Sequence, residues 1–481
     1  MKRESILLLV CITFLSTVIK TQAYDFETNG IKYTLAGPNI VEVSGASDKS
    51  IEIITIPATV ENDGKQYTVA RIGAAAFMNY VNLKEIVLPE TVKSLDQYAF
   101  AGCTALTSFK LPEGITEITE AVFSGCSSLQ EVTNIDKLET IGWRSFLHCE
   151  SLGDFFLADT LSDIEGMAFE GCVNINFIIE QNPFFYLRDG IVYDNRNNRL
   201  VVYPSSKKDA SFTCPAFVTR CGDGAFAGNP YIEEILLPYS VKTIGSHFAD
   251  ECTSLRNVVL PYKLTTIPVN TFCNCESLEK VTLQCNINRL DIFSFMNCLS
   301  LSSLTCLAEE PPVCAEPRFP KEIYENCVLY VIPESLELYK ADSVWGLFAN
   351  IMPLEEKDYN VVPERIEIRD CPEMLEVAHR YLLYADVYPI DITTDITINW
   401  SASPDIKASF YGNYLIPIEQ GKVNVTATIA EYPKVTQTLT ATIVGRGENS
   451  VEKLTPDSDG FFKVYRLDGS LVMQTLNENE L

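Results

Sequence analysis

Three features of the sequence predict a mainly β fold, in which a solenoid of stacked repeats is followed by a small β-sandwich. A phenylalanine recurs every 23 residues, at Phe77, Phe100, Phe123, Phe146 and Phe169. A cysteine follows each of the last four by three residues. From residue 359 onward the pattern changes to the alternation of apolar and polar residues that is typical of half-buried strands. The fixed period predicts the solenoid, and the alternation predicts the sandwich.

The repeat itself shows why its units must stack. In Leu95–Pro112, the segment Leu106–Leu111 has the form Leu-x-x-apolar-x-apolar and is closed by a proline, which ends ladder pairing. One unit cannot bury its apolar side chains alone, so neighbouring units share a continuous core. Nine such units lie between residues 71 and 308, and their period is that of leucine-rich repeats. The unit at Phe248 is offset by one residue, which predicts a local distortion.

The first 23 residues have the composition of a secretory signal. Two basic residues precede the apolar stretch Ile6–Val18, which is shorter than the roughly 20 residues that a membrane-spanning helix needs. A small-x-small pattern then ends at Ala23. A lipoprotein signal that uses Cys11 is an alternative, but Val10 stands where a small residue is required. We therefore expect an exported protein.

The chain is strongly acidic, with 64 Asp and Glu against 37 Lys and Arg and a formal net charge of −27. Loss of the signal changes this charge to −29, because three positive charges and one negative charge are removed. Such a chain repels phosphate backbones and anionic lipid, which argues against nucleic acid or a membrane surface as partner. No later stretch is long and apolar enough for membrane insertion. Solubility outside the cell and a cationic partner both remain compatible with the charge.

The repeated cysteines predict packing and not chemistry. Fifteen cysteines remain after the signal, and an odd number in an exported protein requires a free thiol or an intermolecular bridge. Tyr80 and Asn229 fill the cysteine position in two units, so that position does not require a thiol. Side chains of neighbouring turns point in parallel, which suits stacking better than bridging. A disulfide is more readily expected in the group that departs from the ladder, Cys285, Cys306, Cys314 and Cys327.

The repeat resembles that of the BspA-like leucine-rich-repeat family of bacterial surface proteins. The resemblance rests on I-G-x-x-A-F-x-x-C-x-x-L-x-x-V-x-L-P, present here as IGAAAFMNYVNLKEIVLP and IGDGAFAGNPYIEEILLP. Residues 24–70 resemble the N-terminal cap of that family, and residues 309–357 resemble its C-terminal cap. The resemblance implies adhesion to host matrix proteins or to other cells.

Three segments lie outside this pattern. Residues 181–218 interrupt the repeats, and two apolar runs around an Asn-rich turn predict a β-hairpin laid across the solenoid. Residues 359–446 resemble bacterial Ig-like domains of group 2, which are usually spacers. Residues 447–481 suggest a linker and a partial sorting segment similar to those of outer-membrane secretion systems. That similarity implies the cell surface on the outer-membrane side of a Gram-negative cell.

No pattern of catalytic residues or metal ligands is found, and we predict no enzyme, no cofactor and no metal. The histidines, His148, His247 and His379, are not spaced as ligands, and no nucleophile elbow, phosphate loop or H-E-x-x-H occurs. An enzyme would require a deep polar cleft with convergent titratable groups. The predicted function is recognition of an extracellular protein ligand, from host matrix or another cell. Glycan binding is the alternative, and a flat row of exposed aromatic residues would favour it.

The candidate binding residues are the outward positions of the repeat strands, on the predicted concave face. Lys110 and Glu131 occupy these positions in early units. If the period of 23 holds, an apolar strip follows in the middle units, made of Phe156, Phe177, Ile179, Leu236 and Val259. Exposed apolar strips usually mark interaction sites. Alternatively, residues 184–186 of the hairpin cover the strip, and the sequence does not choose between the two.

Overall fold

The computed structural model describes residues 24–314, 319–355 and 359–445 in full, and the backbone of two strands at residues 462–465 and 471–475. The predicted signal peptide, residues 1–23, and most of residues 447–481 lie outside the described residues. The structure contains a β-solenoid, as the period predicts, and its turns number about 12, more than the nine units counted from the sequence. The chain divides into two compact units. The first is Met1–Asn195, Val201–Lys208 and Asp223–Asn229, and the second is Arg196–Leu200, Asp209–Gly222 and Pro230–Leu481.

Six strands precede the first repeat: β1 (Phe26–Thr28), β2 (Ile31–Gly37), β3 (Ile40–Ala46), β4 (Ile53–Thr55), β5 (Thr59–Asn62) and β6 (Lys65–Ile72). Five of them form a sheet in the order β1-β2-β3-β6-β5. Val41, Val43 and Val69 are fully buried in it. The strand β4 leaves this sheet and instead pairs in parallel with the first long strand of the repeats.

Each repeat of the first unit contains a long strand and a two-residue strand. In chain order they are β7 (Glu85–Val87), β8 (Ser94–Leu95), β9 (Ser108–Lys110), β10 (Glu117–Ile118), β11 (Glu131–Thr133), β12 (Thr140–Ile141), β13 (Asp154–Phe156), β14 (Asp163–Ile164) and β15 (Asn176–Ile178). Equivalent strands pair in parallel, as in β9 with β11 and β10 with β12. The middle residue of each long strand points into the core, and the two outer residues point to solvent because successive side chains alternate.

The repeated phenylalanines stack inside the first unit. All are buried, and consecutive ring centroids lie 5.5, 5.8, 5.4 and 5.3 Å apart from Phe77 to Phe169. Their planes differ by no more than 16°. Phe109 and Phe155 of the long strands meet this stack edge-on. The 23-residue period is therefore the number of residues from one phenylalanine to the next phenylalanine that stacks on it.

The cysteine ladder supplies hydrogen-bond donors as well as volume. The Sγ of Cys103 lies 3.1 Å from the carbonyl oxygen of Phe77 in the preceding turn. The same contact recurs at 3.2, 3.1 and 3.1 Å for Cys126, Cys149 and Cys172. Because these thiols are buried they stay neutral, and burial raises the pKa of Cys103 to about 12.

The two residues that replace cysteine in this ladder are donors too. The Tyr80 hydroxyl donates to the carbonyl oxygen of Ala46 at 2.6 Å. The Asn229 Nδ2 donates to the carbonyl oxygen of Pro204 at 3.0 Å. The ladder position therefore favours a side-chain donor, which adds a second hydrogen bond to a buried carbonyl oxygen such as that of Phe77 or Pro204. The interpretation of the ladder as packing alone is incomplete.

Two positions in every turn have a left-handed backbone. One column contains Ala75, Tyr98, Ala121, Arg144 and Met167, and the other contains Asn79, Gly102, Gly125, His148 and Gly171. At Asn79, Gly102 and Gly125 the backbone N–H donates to the next turn at 2.7 Å. A left-handed residue other than glycine costs about 1–2 kcal/mol. The hydrogen bonds between turns offset this cost.

The insertion after β15 begins with an antiparallel hairpin of β16 (Phe185–Arg188) and β17 (Ile191–Asp194), followed by β18 (Arg199–Val202). Both predicted apolar runs are therefore strands. Phe185 and Val192 are buried in the core of the first unit. The hairpin thus contributes to that core.

The second unit contains further strands, β19 (Ser211–Thr213), β20 (Arg220–Cys221), β21 (Glu234–Leu236), β22 (Asn257–Val259), β23 (Thr266–Ile267), β24 (Lys280–Leu283), β25 (Arg289–Leu290), β26 (Ser303–Cys306), β27 (Val313–Cys314), β28 (Val328–Val331) and β29 (Asn350–Pro353). The long strands form a parallel sheet in the order β19-β21-β22-β24-β26-β28-β29. Two short α-helices, α1 (Lys321–Asn326) and α2 (Leu336–Ala341), and 3-10 turns at Pro333–Ser335 and Trp345–Leu347 lie among the last strands.

The repeat with the offset phenylalanine is distorted, as its spacing predicts. The ring of Phe248 lies at 89° to that of Phe272, with centroids 6.4 Å apart. The next pair, Phe272 and Phe295, is stacked at 5.5 Å and 29°. The offset moves the ring around the turn, so that it meets its neighbour by an edge.

A separate β-rich segment follows the solenoid: β30 (Arg365–Arg369), β31 (Met374–Glu376), β32 (Tyr381–Leu382), β33 (Tyr384–Tyr388), β34 (Ile398–Ser403), β35 (Ala408–Tyr411), β36 (Tyr414–Pro417), β37 (Gly421–Ile429) and β38 (Thr436–Val444). Its largest sheet has the order β31-β38-β37-β34. Leu375, Leu415 and Val425 are fully buried in its own core. We call residues 359–445 the C-terminal domain. Beyond it, β39 (Phe462–Tyr465) and β40 (Leu471–Thr475) pair antiparallel.

The expected disulfide among the later cysteines is not formed. Within the described part of the chain, none of the fifteen cysteines is joined to another by a disulfide. Cys306 points into the core, where the Tyr339 hydroxyl lies 3.1 Å from its sulfur. The late cysteines therefore act like those of the ladder, as buried or half-buried side chains within a solenoid turn.

Gly125 and Gly228 provide a matched test of turn spacing, because both have a left-handed backbone, with φ of 73° and 71°. A Cβ at Gly125 would lie 3.6 Å from the nearest atom, whereas a Cβ at Gly228 would lie 2.5 Å from the backbone nitrogen of Gly171. We expect Gly125→Ala to lower the free energy of unfolding by about 1–2 kcal/mol. Gly228→Ala should cost about 1–3 kcal/mol more. Equal melting temperatures by circular dichroism would contradict this spacing argument.

The donor role of the cysteine ladder can be tested at Cys149, which is fully buried. Cys149→Ala removes one of the two donors to the Phe123 carbonyl oxygen, which keeps the backbone N–H of Cys126, and we expect a loss of about 0.5–1.5 kcal/mol. Cys149→Ser keeps a donor and should destabilise less. If the ladder only packs, the order reverses, because serine then buries a hydroxyl without benefit. Thermal unfolding of both variants distinguishes the two cases.

Candidate binding site

The outward side chains of the long strands form two parallel rows in the first unit, here called the first strand face. The rows are Ile53, Glu85, Ser108, Glu131, Asp154 and Asn176, and then Thr55, Val87, Lys110, Thr133, Phe156 and Ile178. Parallel pairing of β4 with β7, β9 with β11 and β13 with β15 aligns their members in register, for example Glu131 with Ser108 and Thr133 with Lys110. The face therefore places one acidic row beside one mixed row.

Three of the predicted binding residues lie on this face and are exposed to solvent. Lys110 and Glu131 point outward from β9 and β11, as their strand positions predict. Phe156 points outward from β13 and is 48% exposed. Val87, one of the other outward residues, is 46% exposed. The first strand face thus presents apolar and charged groups together.

The expected exposure of Phe177 is wrong. Phe177 is 4% exposed and meets Phe169 edge-on at 5.0 Å inside the core. The strand β15 starts one residue earlier than a period of 23 requires, so Phe155 pairs with Phe177 and Phe156 with Ile178. A shift of one residue moves every side chain of a strand to the opposite face. The polar Asn176 and the apolar Phe177 make this shift favourable.

Ile179 is displaced from the face by the same shift. It follows the end of β15 and is half-buried against the core of the first unit. The residue at the expected outward position is Ile178. The apolar strip of the first unit therefore consists of Phe156 and its register neighbour Ile178.

Leu236 and Val259 lie on the corresponding outward rows of the second unit, here called the second strand face. They are register partners on β21 and β22, and both are half-buried. Thr213 and Thr282 flank them on the neighbouring strands. This apolar pair is thus bounded by polar residues on both sides.

The hairpin leaves Phe156 exposed, and its Phe185 is buried in the same core as Phe177. Phe185 is buried in the core, and Phe184 and Leu187 pack against that core from its edge. Tyr186 stacks on Tyr193 of the same hairpin at 5.4 Å. Neither of the two expected arrangements of a complete strip is therefore present.

The charges of the first strand face are largely unpaired. No hydrogen bond or ion pair joins the carboxylates of Glu85 or Glu131 to another described residue. Asp154 accepts one hydrogen bond, from Asn176 Nδ2 at 2.8 Å. Exposed carboxylates without partners remain available to a cationic group of a ligand.

On the second strand face, the carboxylate of Glu234 is held by its neighbours. Glu234 accepts from Ser211 Oγ at 3.0 Å and from Asn257 Nδ2 at 2.9 Å. One residue earlier in each strand, Arg256 lies between two carboxylates, 2.6 Å from Glu279 and 3.7 Å from Glu233. A ligand would have to displace these contacts before it could use the same groups.

Residues that would indicate catalysis or metal binding are not brought together. Within the described part, no three His, Cys, Asp or Glu side chains are placed to bind a metal ion. His247 pairs with Asp250 of its own turn, with Nδ1 and Oδ2 2.7 Å apart. A solvent-open cleft of about 710 Å³ beside β2, β4 and β5 contains two carboxyl groups, Asp48 and Glu61. None of the helices in the described ranges could cross a membrane.

Comparison with known proteins agrees with this architecture. Residues 70–197 and 204–309 match the BspA type leucine rich repeat region, in six copies. The pneumococcal vaccine antigen PcpA is similar in structure, at 19% identity and a TM-score of 0.50 over 69% of this chain and 98% of that one. This likeness concerns the fold alone. No curated protein sequence matches.

Two further solved structures resemble parts of the chain. A leucine rich cell surface protein from Faecalibacterium prausnitzii is 22% identical over 69% of this chain and 95% of that one, with a TM-score of 0.47. A leucine-rich repeat protein from Bacteroides ovatus is 20% identical over 69% of this chain and 100% of that one, with a TM-score of 0.35.

Phe156 of β13 and Phe177 of β15 lie on opposite sides of one sheet. Alanine variants of the two residues therefore distinguish a surface position from a core position. We expect Phe177→Ala to lower the free energy of unfolding by about 3–5 kcal/mol, because it opens a cavity. Phe156→Ala should change it by less than about 0.5 kcal/mol. Thermal unfolding measures both. A similar loss in the two variants would place Phe156 in the core and remove it from the candidate site.

Proposed function

Because the repeats of this chain are leucine-rich repeats of the BspA type, we propose that it is an exported binding protein that recognises a protein ligand at the cell surface. The ligand is an extracellular protein, from host matrix or from another cell. In this proposal the first strand face is the principal contact, and Leu236 and Val259 of the second face form a subsidiary apolar contact. The chain requires no catalytic residue, metal or cofactor for this function.

The observation that carries this proposal is the combination of groups on the first strand face. Phe156 and Val87 are nearly half exposed although they lie in regular strands. Glu85 and Glu131 stand in the neighbouring row without partners. Exposed aromatic residues supply much of the free energy of protein association, and charges around them set specificity. A face that served only as a solvated surface would gain nothing from exposing Phe156.

The same groups favour a basic protein segment as the ligand. An arginine side chain could stack on the ring of Phe156 while its guanidinium reaches Asp154 or Glu131, which lie two strand positions away or on the adjacent strand. Lys110 is the one cationic side chain in the two rows of the described first face, against three carboxylates. The formal net charge of −27 would add long-range attraction for such a segment.

A polysaccharide ligand is the second candidate and is less well supported. Glycan sites usually need aromatic rings in a flat row, and Phe156 is the one aromatic residue in the two rows of the described first face. The most exposed aromatic residue of the C-terminal domain, Tyr411, is paired across a hairpin with Tyr414. Those two rings are the observation that keeps glycan binding as an alternative.

We also propose the organisation of the exported chain. Residues 1–23 are removed on export, residues 24–70 and 309–357 cap the repeats, and residues 359–446 form an Ig-like module. Residues 447–481 then attach the protein to the outer-membrane side of a Gram-negative cell. Two short terminal strands are compatible with a sorting segment.

A screen of purified residues 24–481 against immobilised matrix proteins and polysaccharides tests the function. Binding to a basic protein that weakens steeply between low and physiological salt supports the proposal, because surface charge pairs are screened by salt. Binding to a neutral polysaccharide at all salt concentrations would favour the alternative. Binding to none of the panel, with folding verified, would count against both.

The variants Glu131→Gln and Glu234→Gln each remove one negative charge. Glu131 has no hydrogen-bond partner among the described residues, whereas Glu234 accepts two hydrogen bonds, so the pair tests whether an unpaired carboxylate is needed. We expect Glu131→Gln to weaken binding of the ligand found in the screen about fivefold, near 1 kcal/mol, because it removes an available charge from the contact. Glu234→Gln should change affinity less than about twofold, because its carboxylate already holds Ser211 and Asn257. Surface plasmon resonance measures both. Equal effects would mean that only net charge matters and that the first face is not the site.

A further inference from the structure

The turn after each long strand contains a position whose chemistry differs between the two units. It follows a Leu-Pro pair in four of the eight turns. In each turn the residue two places after this position donates its backbone N–H to the carbonyl oxygen of the residue just before it, as from Val92 to Pro89 and from Val241 to Pro238. We call this position the turn column. Its members are Glu90, Glu113, Asp136 and Asp159 in the first unit, and Ala216, Tyr239, Tyr262 and Cys285 in the second.

The column is exposed and acidic in the first unit, whereas in the second it contains two half-buried tyrosines, Tyr239 and Tyr262. All four acidic members of the first unit are exposed. In the second unit the rings of Tyr239 and Tyr262 stack, with centroids 6.1 Å apart and planes at 21°. The Nζ of Lys263 lies 4.2 Å from the centroid of the Tyr239 ring. The two stacked tyrosines, one on each of two neighbouring turns, make this part of the surface flat and partly apolar.

The C-terminal domain lies on this aromatic part of the column. The Tyr239 hydroxyl donates to the Asp395 carboxylate and accepts from the backbone N–H of Ile396 at 3.0 Å. The carbonyl oxygen of Ile396 is 2.9 Å from the same hydroxyl. The Tyr239 ring also packs against the apolar core of the C-terminal domain. The side chain of Tyr239 on a solenoid turn therefore both hydrogen-bonds to the C-terminal domain and packs against its core.

A second contact lies on the neighbouring solenoid turn. Tyr384 of β33 packs its ring on Phe217, with centroids 5.7 Å apart. The Tyr384 hydroxyl accepts a hydrogen bond from Asn198 Nδ2 at 3.4 Å. Burial raises the pKa of Tyr384 to about 12, as expected for a phenol at a covered contact. Two separate points of contact fix the orientation of a domain, whereas one leaves it free to rotate.

We propose that the aromatic part of the turn column is a built docking site for the C-terminal domain, which makes that domain a fixed brace of the second unit and not a spacer. The acidic column of the first unit would repel Asp395, so docking is confined to the repeats that carry tyrosine. Docking occupies the turns and leaves the long strands of the second unit free, because no residue of β21, β22 or β24 takes part in these contacts.

A cut-chain experiment tests the proposal. Residues 356–358 of the mature protein are replaced by the recognition sequence of a site-specific protease, and the intact chain is purified and then cleaved. We expect the two fragments to elute together in size-exclusion chromatography, because the contacts at Tyr239 and Tyr384 hold them without a covalent link. Fragments that separate at micromolar concentration would overturn the proposal.

Variants at the contact supply the quantitative test. Tyr239→Phe keeps the ring stack and removes the hydroxyl, and we expect about a tenfold weaker fragment association. Tyr239→Glu restores the chemistry of the first-unit column and should weaken association at least about a hundredfold. Tyr411→Ala, at a side chain that is 80% exposed, is the control and should change association less than about twofold. The melting temperature of each uncut variant verifies folding.

Two outcomes of the variant series would contradict the proposal. If Tyr411→Ala weakens association as much as Tyr239→Phe, the effect is general destabilisation of the domain and not loss of a docking contact. If Tyr239→Phe and Tyr239→Glu both associate like the parent, the turn column does not hold the domain. Because Tyr239→Phe changes one oxygen atom at a half-buried surface turn, it remains informative even if Tyr239→Glu does not fold.

Discussion

The repeated phenylalanines have buried carbonyl groups that accept from a backbone N–H of their own turn, and the following turn supplies each with a second donor. In most repeats that donor is the thiol of a cysteine, which reaches the carbonyl of a stacked phenylalanine in the preceding turn at about 3.1 Å. The phenylalanine ring and the cysteine lie three residues apart, so the stacking of rings and the pairing of carbonyls are set by one short segment. Neither can change without the other, and this coupling holds neighbouring turns at a fixed distance.

The fixed distance between turns explains the unusual backbone. Two residues per turn are held in the left-handed region, and one column brings the backbones of neighbouring turns into close approach. Non-glycine residues there cost conformational free energy that only a long run of inter-turn hydrogen bonds can offset. Stability is consequently a property of the array, as is expected for a structure in which each repeat contacts only its neighbours. An isolated repeat would keep the cost and lose the hydrogen bonds.

The side chains that point into the core were predictable from sequence, because few other residue types fit those buried positions. The positions of Phe77 to Phe169 and of their cysteines follow from one period, and the offset at Phe248 correctly indicated a distorted turn. Outward features were not predictable in the same way. The period was counted from Phe169 and Cys172, which keep it, whereas β15 begins one residue early. The alternation of Asn176 and Phe177 was the signal that could have placed Phe177 in the core, since alternation records which face is buried and the period does not.

The donor role of the ladder could be predicted from the sequence, whereas the docking of the C-terminal domain could not. Cysteine, tyrosine and asparagine at one position share only the ability to donate a hydrogen bond, so the ladder could have been interpreted correctly from Tyr80 and Asn229. The change from acidic residues to Tyr239 and Tyr262 in the turn column is also visible. Its partner is not, because Asp395 lies 156 residues further along the chain and no local pattern links the two. Long-range contacts between folded parts depend on geometry that only the assembled structure supplies.

Because packing and hydrogen bonding restrict the residues that point into the core, function can vary only at the outward rows and at the turns. In the first unit two of the three outward carboxylates, Glu85 and Glu131, have no partner within the described part of the chain, and the ring of Phe156 is exposed. In the second unit the equivalent carboxylate of Glu234 is bound to neighbouring side chains, and the turns hold a domain. The two units have the same repeat and the same core, so the difference cannot arise from folding requirements. This difference supports the proposed division of roles, with recognition in the first unit and support in the second.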